Sequence, residues 1–390
     1  MKSTAQDPAA RWLTVRRGQH RRPWEWVAEK LIFCVALSAI IVVLLIFVFV
    51  GKESIPIMFG RTTSAAIQDI IRVEDFDTTS PARLRKYLDL SEQQYKDLDR
   101  EAKLELMSLK AEAGKEAAND KDARVNTVAW RHLLLPHQWS GYGHPEYIWQ
   151  PISMIHKYNI IPLLIGSLKA TLVALLFAVP ISLAAAIYVS QLASPRWREW
   201  LKPGIELLAG IPSVVLGFFA LLVMATLFQN VFGYESRLNA FVAGIALGLA
   251  IIPVVFSIAE DALTSVPASY IQGALALGST RWQAAWKIVL PAAIPGVFAA
   301  VVLGFGRGIG ETMVVLMASG NASIMSASLF DSTRTITATI AAELAETVFG
   351  EHHYQMLFLL GTLLFAVTFV ANMIADQVIH RLKKRLEGKA

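Results

Sequence analysis

An all-α membrane fold with six spanning helices is what this 390-residue sequence predicts, and three observations carry that reading. Hydrophobic residues make up 54% of the chain and charged residues only 17%, a balance that argues against a soluble protein. The apolar residues are gathered into six runs long enough to cross a bilayer as helices, at 31–50, 160–192, 205–229, 239–260, 292–318 and 356–379. Lysine and arginine collect in alternate connections between those runs, the pattern expected when the N-terminus is cytoplasmic.

Residues 1–30 form a basic cytoplasmic arm that includes Arg16, Arg17, Arg21 and Arg22. The first transmembrane helix, 31–51, has an apolar core of about 20 residues, longer than a typical signal core, and no small-x-small cleavage site follows at "FVGKES"; it reads as an uncleaved anchor. Residues 52–156 form an extracytoplasmic insert, and 157–380 a core of five further spans with a cytoplasmic loop at 267–291. The tail 381–390 is basic and cytoplasmic. The inner connections "SPRWREWLKPG" and 261–291 are basic, whereas the outer ones, 230–238 and 319–355, carry one arginine each, Arg237 and Arg334. The net charge of +5 therefore reports topology and attraction to anionic lipid, not nucleic-acid binding. Cys34 is the only cysteine, which excludes an intrachain disulfide and a cysteine-built metal site.

The insert is largely helical. Ser80 is a cap before Pro81, and Ser91 with Glu92 opens a second stretch in which Tyr95, Leu98, Leu106 and Leu109 recur at near-helical spacing. It reads as a solvated helical hairpin standing on the membrane, with a docking surface for a partner as the alternative. Trp139, Tyr147 and Trp149 precede the second span and read as an aromatic belt at headgroup level. His352 and His353 are adjacent, a spacing that builds no metal site on one helix face, and fit the loop before the last span. No phosphate-binding loop, nucleophile elbow, HExxH or kinase signature is present. No catalysis and no metal are expected of this chain.

The loop "PASYIQGALALGSTRWQAAWKIVLP" predicts two short helices. Pro267 suits a first turn, Gly278 permits a helix stop, Thr280 with Gln283 makes a capping box, and Pro291 closes the second helix. Two short helices meeting at a glycine form a protruding elbow. Gln272-Gly273-Ala274, then Gly278, then Ile288, Leu290 and Pro291 resemble the cytoplasmic "EAA" loop of ABC importer permeases. The departure lies at Gln272 and Gly273, where that family usually has Glu-Ala. The resemblance implies the type I ABC importer permease fold, with this elbow docking on an ATP-hydrolysing partner that binds the ATP and Mg.

"LLAGIPSVVLGFFALLV" and "GRGIGETMVVLMASGNA" resemble the phosphate importer permeases, and among them the PstC-like branch; the resemblance runs from about Tyr158 onward and leaves out most of the insert. It implies an inner-membrane permease subunit that translocates inorganic phosphate by alternating access. The implied partners are a PstA-like second permease, a PstB-like ATPase dimer and a PstS-like extracytoplasmic phosphate-binding protein. Sulfate or molybdate import by the same architecture is the alternative substrate reading, and a nutrient-sensing scaffold without transport is the alternative class.

Arg307 and Glu311 stand inside the fifth apolar run. An unpaired charge at mid-bilayer costs about 2.5–3.5 kcal/mol. At i and i+4 the two share a helix face, and a pair at about 4 Å with an effective dielectric near 20 attracts by roughly 4 kcal/mol. Mutual neutralisation against a neighbouring helix is one explanation, with Gly304, Gly306, Gly308 and Gly310 allowing close approach. The other is chemical: a guanidinium fork suits a tetrahedral oxyanion, and a carboxylate beside it could hold the fork in place. The resemblance implies the second, since the matching residues of phosphate permeases are implicated in transport. Gly210, Pro212 and Ser213 mark a bend in the third span, read either as a pathway lining or as a packing kink.

Overall fold

The structure is a computed structural model that describes residues 23–60, 71, 75–88, 90, 92–119, 122, 125–153 and 155–386. The four arginines of the basic arm, Ser91 and the tail beyond 386 lie outside the described residues. Two compact units divide the chain, 1–52 and 53–390. Among the described residues, six helices are long and apolar enough to cross a membrane: Val27–Phe59, Ile161–Leu192, Ser213–Phe232, Ala240–Thr264, Arg281–Gly310 and His352–Leu382.

The first unit holds most of α1 (Pro23–Phe59), a helix with apolar side chains exposed on all sides and Cys34 among them. An all-round apolar surface suits lipid contact. The second unit contains the rest. Its insert begins with α2 (Pro81–Leu88), α3 (Glu92–Asp97) and α4 (Arg100–Asn119), packed around Leu84, Leu88 and Met107. The expected stripe is only partly used: Leu106 and Leu109 are exposed and fully buried Met107 takes the core position. The reason is a helix break. The Asp99 side chain accepts from the backbone N–H of Ala102 at 2.8 Å, capping a fresh helix and resetting the phase after Leu98.

The insert returns to the membrane through α5 (Trp130–Leu134) and a two-stranded hairpin, β1 (Trp149–Gln150) with β2 (Lys157–Tyr158). The belt expectation fails for two of its three aromatics: Trp139 and Trp149 are buried, and only Tyr147 is partly exposed. Trp139 packs edge-on to His137, and the Lys157 ammonium lies over its ring at 5.2 Å. His132 meets His137 edge to face at 4.5 Å between ring centroids. Burial, then the His137 and Arg131 charges, hold His132 below the ordinary imidazole pKa of 6.5. A depressed pKa supports the fold above 6.5 and loses that support as pH falls through the folded-state value. Hydrogen exchange over 130–160 should therefore speed up, after correction for intrinsic rates, between pH 7.5 and pH 5, and His132→Phe should flatten the change.

The remaining spans are α6 (Ile161–Ile187, prolonged by a π turn to Leu192), α8 (Ser213–Phe219) continued through a π turn into α9 (Ala225–Phe232), α10 (Ala240–Thr264), α13 (Leu290–Gly310) and α16 (His352–Leu386). Between α6 and α8 runs α7 (Pro195–Leu207). α10 is the most enclosed span, and glycine notches explain its fit. Gly244 and Gly248 admit Val173 and Phe177 of α6, while Gly304 and Gly308 of α13 admit Val255 and Ile251 of α10. Close approach of this kind supplies the dispersion contact that drives helix association in lipid. Of the four glycines around Arg307, these two are used for packing; Gly306 faces Asn372 of α16 at the edge of contact and Gly310 has open space.

Candidate functional site

The elbow forms as α11 (Ala268–Ala276) and α12 (Arg281–Ala284). Gly278 takes φ +85°, its N–H donates to Leu275 O and that of Ser279 donates to Ala274 O, the paired bonds of a Schellman stop. Thr280 and Gln283 make the reciprocal capping box. Gln272, Gly273 and Gly278 are exposed and Ala274 is buried. Leu277 stands at the tip 90% exposed, and Trp282 stacks on Trp286 at 5.9 Å with both rings exposed.

One elbow expectation is corrected. Pro291 does not end the second helix: α12 passes through a π turn, Ala285–Val289, into α13, whose first turn contains Pro291. The widened turn ends one residue before Leu290-Pro291, the proline having no N–H to give, and the helix continues past it. Ile288 and Leu290 thus lie at the root of the fifth span, both half-buried.

The opposite end of α13 brings a second correction. The helix stops at Gly310 and Glu311 is extended, φ −71° and ψ 134°, so Arg307 and Glu311 do not share a helix face. Among the described residues no ion pair joins these two; the buried pairs lie elsewhere. Arg307 is exposed on the flank of the Gly304–Gly308 notches. Glu311 is half-buried; its carboxylate accepts from the Thr312 N–H at 3.2 Å and its carbonyl accepts from Thr337 Oγ1 at 2.9 Å.

A backbone break inside an apolar span needs its polar groups satisfied by the protein or by a water-filled space. The protein supplies partners here: Thr337 Oγ1 donates to the Glu311 carbonyl and the Thr312 N–H donates to the Glu311 carboxylate. After the break the chain resumes in α14 (Met313–Ala318), and α15 (Ile336–Glu343) closes beside it, capped by Thr335. Ser167 of α6 accepts from the Ile336 N–H at 3.0 Å, and Thr171, Thr335 and Thr339 complete a buried hydroxyl seam. Next to Glu311, a cleft of about 410 Å³ is lined by Thr312, Thr337, Ile340, Ala341, Leu344 and Ala345. A Cβ on Gly166 would collide with the Arg334 carbonyl and Thr333 Oγ1. Gly166→Ala should therefore cost about 1–3 kcal/mol, read as a lower unfolding temperature in detergent, and should loosen this seam.

The third span breaks at Ile211 and Pro212, both extended in ψ, before α8 starts at Ser213. Gly210 has open space around it and Pro212 is exposed. Gly217 of α8 abuts Met313 and Met317 of α14, so the two interrupted segments pack against each other.

Two buried charge clusters escape local sequence reading. Glu260, 1% exposed on α10, pairs with Arg198 at 2.8 Å and Lys202 at 2.6 Å, both from α7. Glu343 pairs with Arg334 at 2.8 Å and His353 at 3.2 Å, and accepts from Trp149 Nε1 at 3.2 Å. His353 is thus a core partner and not a loop residue.

Residues 178–387 match the family described as binding-protein-dependent transport system inner membrane component. The chain is 36% identical to the probable ABC transporter permease protein YqgH of Bacillus subtilis, over 60% of this chain and 76% of that one. It is also 36% identical to the phosphate transport system permease protein PstC of Pasteurella multocida, over 62% and 80% respectively. Among solved structures it resembles the inward-facing MetNI methionine ABC transporter, with 16% identity, a TM-score of 0.45, and coverage of 57% of this chain and 95% of that one.

Proposed function

We propose, from the premise that this chain belongs to the binding-protein-dependent transport system inner membrane components, that it is the PstC-like permease of a phosphate importer. The family membership makes it an integral inner-membrane transport component with the type I permease fold. Inorganic phosphate as the cargo draws support from the PstC relatives and from the chemistry at the break. The carrying observation is Arg307: an exposed guanidinium in the last turn of an apolar span, with no carboxylate paired to it among the described residues. A charge at that level belongs beside a bundle interior or a water-filled path. Its planar donors match a phosphate's oxygens, and Glu311 stands on separate backbone across the break, so no shared helix face fixes its distance from Arg307.

Both termini are cytoplasmic in this proposal, which places the elbow inside and the insert outside. The partners are a PstA-like permease completing the pathway, a PstB-like ATPase dimer seated on the Leu277–Trp286 side of the elbow, and a PstS-like binding protein delivering phosphate. Hydrolysis belongs to the ATPase, which holds the ATP and Mg; this chain carries no cofactor of its own. ATP binding moves the elbow, the elbow moves the fifth span, and the site alternates in access. The test is ATP-dependent uptake of labelled phosphate by the four components in liposomes. Uptake that survives excess sulfate supports phosphate; equal competition by sulfate overturns it.

A further inference from the structure

α7 (Pro195–Leu207) presents a surface that none of the described residues covers. At about 3.6 residues per turn, its side chains fall into three stripes roughly a third of a turn apart. Arg198, Leu201, Lys202 and Ile205 form the docked stripe, the cations on Glu260 and the aliphatics against the core. Trp197, Trp200, Leu207 and Leu208 form an apolar stripe that is exposed, Trp200 to 77% and Leu207 to 75%. Arg196, Glu199 and Glu206 form the third, charged and exposed.

Three tethers fix the depth of this helix. The second span ends at Leu192, the third begins at Ser213, and Glu260 lies four residues before the end of α10 at Thr264, about 6 Å of helix rise. Spans alternate in direction, so these three points lie at one bilayer face. A helix held there cannot stand away in water. Its apolar stripe also runs on without interruption through exposed Ile211 into exposed Val214, Val215 and Phe218 of the third span.

We propose that α7 lies in the plane of the membrane interface and that lipid covers its apolar stripe. Trp197, Trp200, Leu207 and Leu208 sit at the boundary between headgroups and acyl chains, and Arg196, Glu199 and Glu206 face water. Indole rings are amphipathic and prefer that boundary, and segregated apolar and charged faces are what an in-plane helix requires. The seat does not select anionic headgroups, because Glu260, Glu199 and Glu206 match Arg198, Lys202 and Arg196 charge for charge, with Glu260 engaging the first two cations.

The test uses the assembled transporter in phosphatidylcholine nanodiscs, in a Cys34→Ser background, with a nitroxide at one position from 196 to 208 at a time. Collision rates with oxygen, which partitions into lipid, and with an aqueous nickel chelate are compared. Trp197→Cys, Trp200→Cys and Leu207→Cys labels should favour oxygen severalfold, and Arg196→Cys, Glu199→Cys and Glu206→Cys labels should favour nickel. Labels at 197, 200 and 207 shielded from both reagents mean that a second protein covers the stripe; labels there favouring nickel mean that water does. Either result overturns the proposal. Unlabelled protein gives an independent reading should labelled variants misfold. Acyl-brominated lipid should quench intact protein more than the Trp197→Phe/Trp200→Phe double variant, and equal quenching overturns the proposal too.

Discussion

Replacing Arg198 and Lys202 together by alanine should destabilise the folded chain by about 3–5 kcal/mol, because it strands the buried Glu260 carboxylate without a counter-charge. Thermal unfolding in detergent measures the loss. Adding Glu260→Leu to the double variant should recover most of it, since an apolar side chain in an enclosed site carries no charge to desolvate. Glu260→Ala alone should cost less than the double alanine variant: Arg198 and Lys202 are 41% and 33% exposed and can turn back to water. If the double alanine variant unfolds at the wild-type temperature, the cluster does not hold α7. Hydrogen bonding to Glu260 raises Lys202 above the ordinary lysine value of 10.5. A raised pKa stabilises fully below the unfolded value and is lost as pH climbs through the folded one, so this attachment should persist through neutrality and weaken only in strong alkali.

Arg307→Ala should lower ATP-driven phosphate uptake about ten- to a hundredfold, the worth of one charge-assisted hydrogen bond to an anion. Arg307→Lys should recover only part of the rate, because an ammonium keeps the charge but loses the two-pronged donor geometry. Glu311→Ala should also slow uptake, with its own dependence on phosphate concentration, since the residue stands on a different segment. Size-exclusion profiles should stay normal in all three, because Arg307 is exposed and the Glu311 tether to Thr337 runs through the backbone carbonyl, which the substitution keeps. Uptake unchanged in both Arg307→Ala and Glu311→Ala would return the two residues to a structural role.

The parts of this molecule written in short-range pattern were readable from the chain. The six apolar runs correspond to the six spans, and Gly278, Thr280 and Gln283 stop and restart the elbow helices as their chemistry predicts. What escaped depends on groups distant in sequence or on a local rule being overridden. Glu260 looks like a solvated residue at a span end, and its partners lie 62 and 58 residues away. The spacing of Arg198 and Lys202, four apart in a basic inner connection, is the one local sign of a two-pronged grip. Trp149 has the composition of a belt residue, but its indole N–H finds Glu343, 194 residues on. Pro291 would stop an ordinary helix, and a π turn lets it through. Glu311 continues the hydropathy of the fifth run but not its helix, because hydropathy does not register a capped break.

The uninterrupted course from α12 through the π turn into α13 has a mechanical consequence. From Arg281 to Arg307 the chain is a single strut of about 39 Å, taking 1.5 Å per residue. In the proposed coupling, a stroke at its foot is carried toward the guanidinium along this helix, with the π turn at 285–289 and Pro295 as the two places where it can give. Glu311 stands past the end of the strut, moored by its carbonyl to Thr337 on another element. In that proposed cycle, the joint between the two charges would turn a thrust along the helix into a change of distance between cation and carboxylate.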